Sequence, residues 1–191
     1  MELSNFIKIY NNCFDPKIVN SLIKYLDAVD FEDATIVSDE QGNQIQDNSI
    51  RKTKTYAFSL YSSSLTHIHW NNVLYKFFSD YIEEYKKDLN IFEIPLVGIS
   101  DISALKYENT GFYTYHSDHC ASIPRTLSCI FMLNDDYRGG ELCFADPTGK
   151  NEHCIKPESN KLIIWPSNFM YPHTVKPVTK GRRYSVVSWA S

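Results

Sequence analysis

The carboxyl-terminal half of the chain, residues 97–191, consists of short apolar runs separated by turn residues. In one-letter code the runs are SALKY, TLSCIFML, GELCFA, NKLIIWP, HTVKPV and RYSVVSW. No helical spacing lies between them, and this excludes a parallel sheet in which strands and helices alternate. About seven short strands joined by turns predict an antiparallel barrel or sandwich.

Two amphipathic helices are expected before this half. Asp15 and Pro16 supply an N-cap and a first-turn proline, and the apolar spacing that follows predicts a helix over residues 16–28. From Trp70 to Asp88, apolar and aromatic residues recur about every four positions, which predicts a second, longer helix. The economical architecture is a mainly β fold in which both helices buttress an antiparallel barrel.

Between the two predicted helices, residues 31–55 are polar, acidic first and then basic, with a Gly42-Asn43 turn signal. We interpret this segment as a mobile or inserted one and as a candidate lid over a binding site. With 191 residues the chain is expected to form a single domain. In it, residues 1–96 supply helices and the polar loop, and residues 97–191 supply the β-rich core.

The chain is mildly acidic, with 19 Lys+Arg against 23 Asp+Glu and a net charge of -4. This sign argues against a nucleic-acid partner, and we interpret the basic run at 51–54 as a solvated face. No apolar run approaches the ~18 residues that span a bilayer, and no signal peptide is visible. We expect a cytoplasmic protein of microbial or viral type without a membrane partner, whereas the oligomeric state stays open.

Five cysteines are present, an odd number, and none of them has CxxC spacing. In a chain without an export signal, this pattern predicts free thiols that serve mainly as packing residues.

One group of residues suggests metal chemistry. His116 and Asp118 are two apart, so on a strand their side chains point to the same face. His173 lies on a later predicted strand, and Arg183 follows it by ten residues. Two imidazoles and one carboxylate on one side of a metal leave its other positions open, an arrangement suited to Fe(II) and oxygen. An arginine nearby can bind a carboxylate bidentately.

These residues resemble the iron- and 2-oxoglutarate-dependent dioxygenases, in particular the prolyl 4-hydroxylase-like branch. The resemblance covers about residues 97–191 and includes the phrases RTLSCIFMLND, RGGELCFAD, NKLIIWPSNFMYPHTVKPVTKG and RYSVVSW. It implies that the core is catalytic and forms a double-stranded β-helix, or jelly roll. It also implies Fe(II), 2-oxoglutarate as cosubstrate and O2, with ascorbate as an accessory cofactor. The activity implied is hydroxylation of a C–H bond, with succinate and CO2 as coproducts.

Under this resemblance, His116, Asp118 and His173 would hold the iron, and Arg183 would bind the distal carboxylate of 2-oxoglutarate. A register shift of one residue would put Arg182 in that role instead. Because only one of two adjacent strand residues faces inward, the two assignments exclude each other.

The resemblance implies further roles at four positions. Tyr107 would hydrogen-bond the same carboxylate, and Ser128 stands where relatives often carry a threonine that assists it. Tyr113 and Trp189 match positions that line the substrate pocket. Each of the four could equally be a packing residue of the core.

Other interpretations stay open at the level of sequence. His116, His119 and Cys120 could form a zinc site, although this would leave His173 and Arg183 without a role. A cupin-type barrel that binds a metal or ligand without turnover and a zinc hydrolase are the alternatives from other classes. His67 and His69 share the two-residue spacing, but they precede a helix, so we interpret them as surface or capping residues.

The substrate implied by the resemblance is a prolyl residue in a peptide or protein. A free amino acid or a small metabolite is the alternative, because specificity depends on loops that the motifs do not cover. If peptides bind, the acidic balance of the chain predicts a mild preference for basic ones.

Overall fold

The computed structural model is mainly β, with two α-helices and one short 3-10 helix among the described residues. Those residues are 2–38, 41–91, 94, 96, 98–149 and 151–191. The helices are η1 (Leu3–Phe6), α1 (Pro16–Asp27) and α2 (Leu65–Asp88). The strands are β1 (Lys8–Asn11), β2 (Glu32–Asp33), β3 (Ile36–Val37), β4 (Gln44–Ile45), β5 (Arg51–Lys52), β6 (Lys54–Ala57), β7 (Ile99–Tyr107), β8 (Phe112–His116), β9 (Leu127–Met132), β10 (Arg138–Gly139), β11 (Leu142–Ala145), β12 (Glu152–Ile155), β13 (Lys161–Pro166), β14 (His173–Val175), β15 (Val178–Lys180) and β16 (Arg183–Ala190).

Both predicted helices form. Helix α1 begins as predicted, because the side chain of Asp15 accepts a hydrogen bond from the Lys17 amide at 2.8 Å and Pro16 opens the first turn. Helix α2 begins several residues before Trp70, because the hydroxyl of Ser64 accepts a hydrogen bond from the His67 amide. The caps therefore define both starting points.

Two antiparallel sheets make up most of the fold. The larger has the order β1-β13-β9-β16-β7-β6-β2, and the smaller has the order β12-β11-β14-β8-β5. Neighbouring residues on β13 show how the larger sheet is buried on both faces. Ile164 packs in a cluster with α1 and α2, whereas Ile163 packs in a second cluster with residues of the smaller sheet. The space between the two sheets is therefore a second core.

The polar segment 31–55 contributes to both sheets. Strands β2 and β6 extend the larger sheet, and β5 pairs with β8 of the smaller one. The predicted turn at Gly42-Asn43 lies between β3 and β4, which pair as a hairpin. A Cβ added to Gly42 would lie 3.6 Å from the Cβ of Ser122, so the hairpin tip approaches the loop after β8.

Two of the five cysteines correct the prediction of free thiols. Cys143 and Cys154 are directly opposite each other on β11 and β12, with Cα atoms 3.9 Å apart, and they form a disulfide. The two cysteines are 11 residues apart in the sequence, a spacing that matches no cysteine motif, and the β11–β12 hairpin brings them together. Cys13, Cys120 and Cys129 are free, as predicted.

The division of the chain at residues 96 and 97 stays a prediction, and residue 97 itself lies outside the described residues. Strands β1, β5 and β6 of the first half nevertheless pair with strands of the second half. Among the described residues, no helix combines the length and the apolar character that crossing a membrane requires. The expectation of a cytoplasmic protein stays a prediction.

Candidate metal centre and adjoining cavity

Strand pairing brings the three predicted metal ligands together. His116 ends β8 and His173 begins β14, and the two residues are direct partners across this antiparallel pair. Asp118 follows β8 and lies between them: its Oδ1 is 3.5 Å from Nε2 of His116, and its Oδ2 is 3.5 Å from Nε2 of His173. The three candidate ligand atoms all lie within 4.8 Å of one another, which suits a single ion with metal–ligand distances of about 2.1 Å.

Both imidazoles are oriented through their other nitrogen atom. Nδ1 of His116 is 2.9 Å from the carbonyl oxygen of Thr114, and Nδ1 of His173 is 3.1 Å from that of Tyr171. Because a carbonyl oxygen only accepts, each Nδ1 carries the proton and donates it, and each Nε2 keeps a free lone pair. This is the tautomer that a metal ligand needs.

The charges of Asp118 and His173 also fit a cation. Burial alone would raise the pKa of Asp118, but the two imidazoles and the hydroxyl of Ser128 hold it well below its usual range. Burial lowers the pKa of His173 to about 4, helped by His116 and opposed by Asp118. Asp118 is therefore a carboxylate and His173 a neutral imidazole, the protonation states in which these groups bind metals.

Ser128 contacts the metal ligand and not the arginine beside which the resemblance puts it. Its hydroxyl donates to Oδ2 of Asp118 at 2.6 Å and lies 2.7 Å from the hydroxyl of Ser167. In the sheet it pairs with Trp189, far along β16 from Arg183. The contact seen in the structure is thus one that orients Asp118, and the role of Ser128 at the cosubstrate carboxylate stays a prediction.

Of the two adjacent arginines, Arg183 is the one inside the fold. It is 0% exposed, and its guanidinium lies 5.1 Å from the centre of the Tyr107 ring, its cross-strand neighbour. Arg182 lies on the surface and forms ion pairs with Asp27 at 2.8 Å and Glu108 at 3.1 Å. Adjacent residues of an extended chain point to opposite sides. Arg183 therefore lies in the interior, as the ten-residue spacing favours, and Arg182 lies on the surface.

Arg183 keeps two donors for a ligand. Its Nη1 donates to the hydroxyl of Ser185 at 3.0 Å, whereas Nε and Nη2 are buried without a hydrogen-bond partner among the described residues. An arginine cannot lose its charge to relieve this, so the two nitrogen atoms are a site for an acceptor with two oxygen atoms. The distal carboxylate of 2-oxoglutarate fits this donor set.

Tyr137 is a residue of this site that the motifs did not indicate. Its hydroxyl is buried, has no hydrogen-bond partner in the described part of the chain and lies close to the Arg183 guanidinium. Burial raises the pKa of Tyr137, and Arg183 opposes that effect. A Cβ on Gly140 would lie 3.0 Å from Cδ of Arg183 and 3.1 Å from Cε2 of Tyr137, so the glycine admits both side chains. The signal in the sequence is the tyrosine directly before the phrase RGGELCFAD.

A cavity of about 400 Å³ adjoins the centre. Its lining includes the three metal ligands, the tyrosine beside Arg183, the two predicted pocket aromatics and residues of the β3–β4 hairpin. These are His116, Asp118, His173, Tyr107, Tyr113, Trp189, Ile36, Val37 and Gln44. The ring of Tyr113 stacks on that of His116, with centroids 3.5 Å apart.

The other candidate ligands are not brought to the metal centre. Nδ1 of His119 lies 2.9 Å from the carbonyl oxygen and 3.2 Å from the amide nitrogen of Arg125, and Cys120 contacts the hydroxyl of Ser122. The one further ligand cluster within the described ranges contains the disulfide of Cys143 and Cys154 with Glu152. A zinc site built on His119 and Cys120 therefore has no support in the geometry.

The interpretation of His67 as a surface or capping residue is wrong for its side chain. His67 is buried, and its Nδ1 lies 2.5 Å from the hydroxyl of Tyr56 while Nε2 accepts from the Ser59 amide. These contacts join α2 to β6 and to the loop between them. His69 is exposed, as predicted.

Comparison with known proteins agrees with this geometry. The family model described as 2OG-Fe(II) oxygenase superfamily matches residues 102–191. A PKHD-type hydroxylase of Xylella fastidiosa (strain M12) is 45% identical over 75 residues, which cover 38% of this chain and 31% of that protein. Prolyl 3-hydroxylase 2 of Homo sapiens is 34% identical over 89 residues, which cover 39% of this chain and 13% of the relative. The chain thus spans about a third or less of the length of these curated relatives.

Solved structures share the fold over nearly the whole chain. A prolyl-4-hydroxylase of Pseudomonas putida superposes with a TM-score of 0.72 at 18% identity and covers 97% of this chain and 91% of its own. A prolyl hydroxylase from Trichoplax adhaerens, in complex with a hypoxia inducible factor peptide fragment, gives 0.74 at 19% identity, with coverages of 98% and 84%. Residues 102–191, slightly less than half of the chain, are therefore similar to the 2OG-Fe(II) oxygenase superfamily, and the solved structures share the fold.

Proposed function

We propose that this chain is an Fe(II)- and 2-oxoglutarate-dependent dioxygenase that hydroxylates a prolyl residue in a peptide or protein. The observation that carries the proposal is the coexistence of an open His-Asp-His triad that lines the cavity and a buried arginine beside the cavity residue Tyr107, two of whose donors have no partner among the described residues. A barrel that only binds a metal or ligand does not need the buried arginine, and a zinc hydrolase does not need it either. The hydroxylases named among the relatives support the choice of a prolyl substrate.

Each side chain has a role in this proposal. His116, Asp118 and His173 hold the metal, and Ser128 orients Asp118 through its hydrogen bond. Arg183 binds the distal carboxylate of 2-oxoglutarate. Once bound, the iron supplies the oxidative chemistry that converts 2-oxoglutarate and O2 to succinate and CO2 and transfers one oxygen atom to the substrate.

Tyr107 and Tyr137 flank Arg183 and fix the orientation of the cosubstrate. Tyr113 and Trp189 form walls of the pocket for the substrate. Burial of this end keeps water away from the reacting groups. Ascorbate, as an accessory reductant, belongs to the same proposal.

The finer description of the fold is also part of the proposal. We infer that the two sheets form a double-stranded β-helix, supported by α1 and α2 on the outer face of the larger sheet. The hairpin of β3 and β4 acts as the lid. These assignments are supported by the two apolar clusters and by the hairpin residues that line the cavity.

The test is an anaerobic titration of apoprotein with Fe(II) and then 2-oxoglutarate, followed by visible absorption and, after oxygen is admitted, by succinate. We expect a charge-transfer band that is absent in His173→Ala. In Arg183→Ala the band should require much more 2-oxoglutarate. Arg182→Ala is the matched control, because its guanidinium lies on the surface. Tight 2-oxoglutarate binding without succinate would favour a binding module, and activity with zinc alone would favour a hydrolase.

A further inference from the structure

Two arginines line the cavity at a distance from Arg183, and neither is accounted for by the proposed chemistry. Arg51 lies on β5 and Arg125 lies in the loop before β9, and both belong to the cavity lining. The guanidinium of Arg51 is 4.8 Å from the centre of the Tyr113 ring, and that of Arg125 is 3.6 Å from the Trp189 ring. Both arginines therefore lie against the two proposed substrate-pocket aromatics.

The two guanidiniums belong to the wall of one cavity. Tyr113, next to Arg51, and Trp189, next to Arg125, line this cavity together with both arginines. A ligand that contacts both aromatic rings would therefore lie close to both charges.

Each guanidinium has donors without a partner. Nε of Arg51 and Nε of Arg125 are buried and make no hydrogen bond within the described ranges. Arg51 donates from Nη1 to the carbonyl oxygen of Thr35 at 2.9 Å. Arg125 donates from Nη1 to the carbonyl oxygen of Asp118 at 3.5 Å, and its Nη2 lies 3.8 Å from the carboxylate of Asp101, 66% of whose side chain is exposed. Buried guanidinium nitrogen atoms without acceptors are costly, and a bound ligand would relieve the cost.

The charges of the loaded site lead to the same conclusion. The metal would neutralise Asp118, and 2-oxoglutarate would neutralise Arg183. What remains in the cavity is two guanidiniums against the single exposed carboxylate of Asp101, and no described acidic residue pairs with Arg51. The local charge at the substrate position is therefore positive, although the whole chain carries -4.

We propose that the substrate presents a carboxylate to Arg51 and Arg125, next to the residue that is hydroxylated. This inference rests on the proposed function and names its substrate class: an acidic prolyl substrate. The carboxylate has two sources, the α-carboxylate of free or terminal proline and the side chain of an acidic residue beside an internal proline. The proposal reverses the preference for basic peptides that the net charge predicts.

The experiment compares acids with amides of the same shape. One arm uses Ac-Ala-Pro-Asp-NH2 against Ac-Ala-Pro-Asn-NH2, and the other uses L-proline against L-prolinamide. Binding to protein loaded with Fe(II) and 2-oxoglutarate without oxygen is followed by tryptophan fluorescence, because Trp189 contacts Arg125. Hydroxylated product and succinate are then measured in air. We expect at least one acid to bind about tenfold or more tightly than its amide, and the arm that shows this identifies the source.

The variants assign the effect to the two arginines. Arg51→Gln and Arg125→Gln should remove the preference for the acid, mainly through KM, whereas Arg51→Lys should keep part of it. Lys52→Gln is the matched control, because this neighbouring lysine contacts Asn109 and Thr110 and does not line the cavity. An unchanged charge-transfer band in each variant shows that the metal end has folded.

Equal binding of acid and amide in both arms would overturn the carboxylate proposal, since a neutral peptide carbonyl would then suffice for the arginines. Succinate formed in that case would leave the proposed oxygenase standing. Absence of succinate with every substrate would instead contradict the oxygenase, while the fluorescence titration would still decide the carboxylate.

Discussion

The cavity has two ends that are built differently. The metal end comprises His116, Asp118 and His173 together with Arg183, which lies beside the cavity residue Tyr107, and three of these four lie on strands paired on both sides in the sheets. The hairpin end comprises Arg51 and the β3–β4 hairpin, which lie on two-residue strands. Arg125 lies between the two ends, because its Nη1 donates to the carbonyl oxygen of Asp118 at 3.5 Å. Burial follows the same division: Arg183 is 0% exposed, whereas Val37 and Ile45 of the hairpin are 37% and 47% exposed.

This difference separates two requirements. Ligand atoms have to be placed within a few tenths of an ångström, and paired strands with oriented second contacts provide that precision. Substrate recognition tolerates movement, and short strands with few buried apolar contacts open at lower free energy than the sheet core. We therefore expect changes at the metal end to alter metal and cosubstrate binding, and changes at the hairpin end to alter only substrate binding.

The largest effect is expected for His173→Ala. Removal of one of three protein ligands should weaken Fe(II) binding by at least about 100-fold, since even residues that only orient ligands are worth 10- to 100-fold. His69→Ala is the matched control, because this exposed histidine belongs to no ligand cluster. Fe(II) affinity is measured by anaerobic calorimetry. Equal affinities of the two variants would contradict the assignment.

Ser128→Ala should have the next largest effect. Loss of the hydroxyl removes the hydrogen bond to Asp118, and we expect Fe(II) affinity to fall by about 30-fold. Ser188→Ala is the control, because this serine is equally buried but donates to the carbonyl oxygen of Ser100. If Ser128→Ala changed only the KM for 2-oxoglutarate, the role implied by the family resemblance would be restored and the metal-end role would be wrong.

Tyr137→Phe should raise the KM for 2-oxoglutarate by about tenfold, as expected for one hydrogen bond to a charged group. Metal affinity should not change, because Tyr137 contacts Arg183 and not the triad. Tyr107→Phe, measured beside it, tests the tyrosine that the resemblance implies. Steady-state kinetics in which neither variant differs from the wild type would remove both tyrosines from the cosubstrate site.

Apart from His173, which pairs with His116 across β14 and β8, the metal end could be predicted from sequence because its geometry is local. The i, i+2 spacing brings Asp118 beside His116, although Asp118 follows the end of β8, and the inward position of Arg183 follows from strand alternation. The start of α1 likewise followed from the cap at Asp15. In each case a residue and its immediate neighbours decide the outcome.

The remaining features depend on pairing between distant segments. Ser128 reaches Asp118, and not Arg183, because β9 pairs with β16 in one particular register. Cys143 and Cys154 meet through a hairpin whose register no cysteine spacing encodes. The arginines Arg51 and Arg125 are far apart in sequence, and only the fold shows that both lie against pocket aromatics. Net charge, an average over the surface, could not reveal this local excess.

The smallest effect is expected at the hairpin. Val37 is partly exposed and lines the cavity, so Val37→Gln should remove only part of one apolar contact between the protein and a peptide substrate. We expect a rise of about threefold in the KM for the peptide, with substrate-free consumption of 2-oxoglutarate unchanged. Ile9→Gln, on an exposed position of β1 that does not line the cavity, is the control. If Val37→Gln also reduced the substrate-free reaction, the hairpin would act on the metal end, and the separation of the two ends would fail.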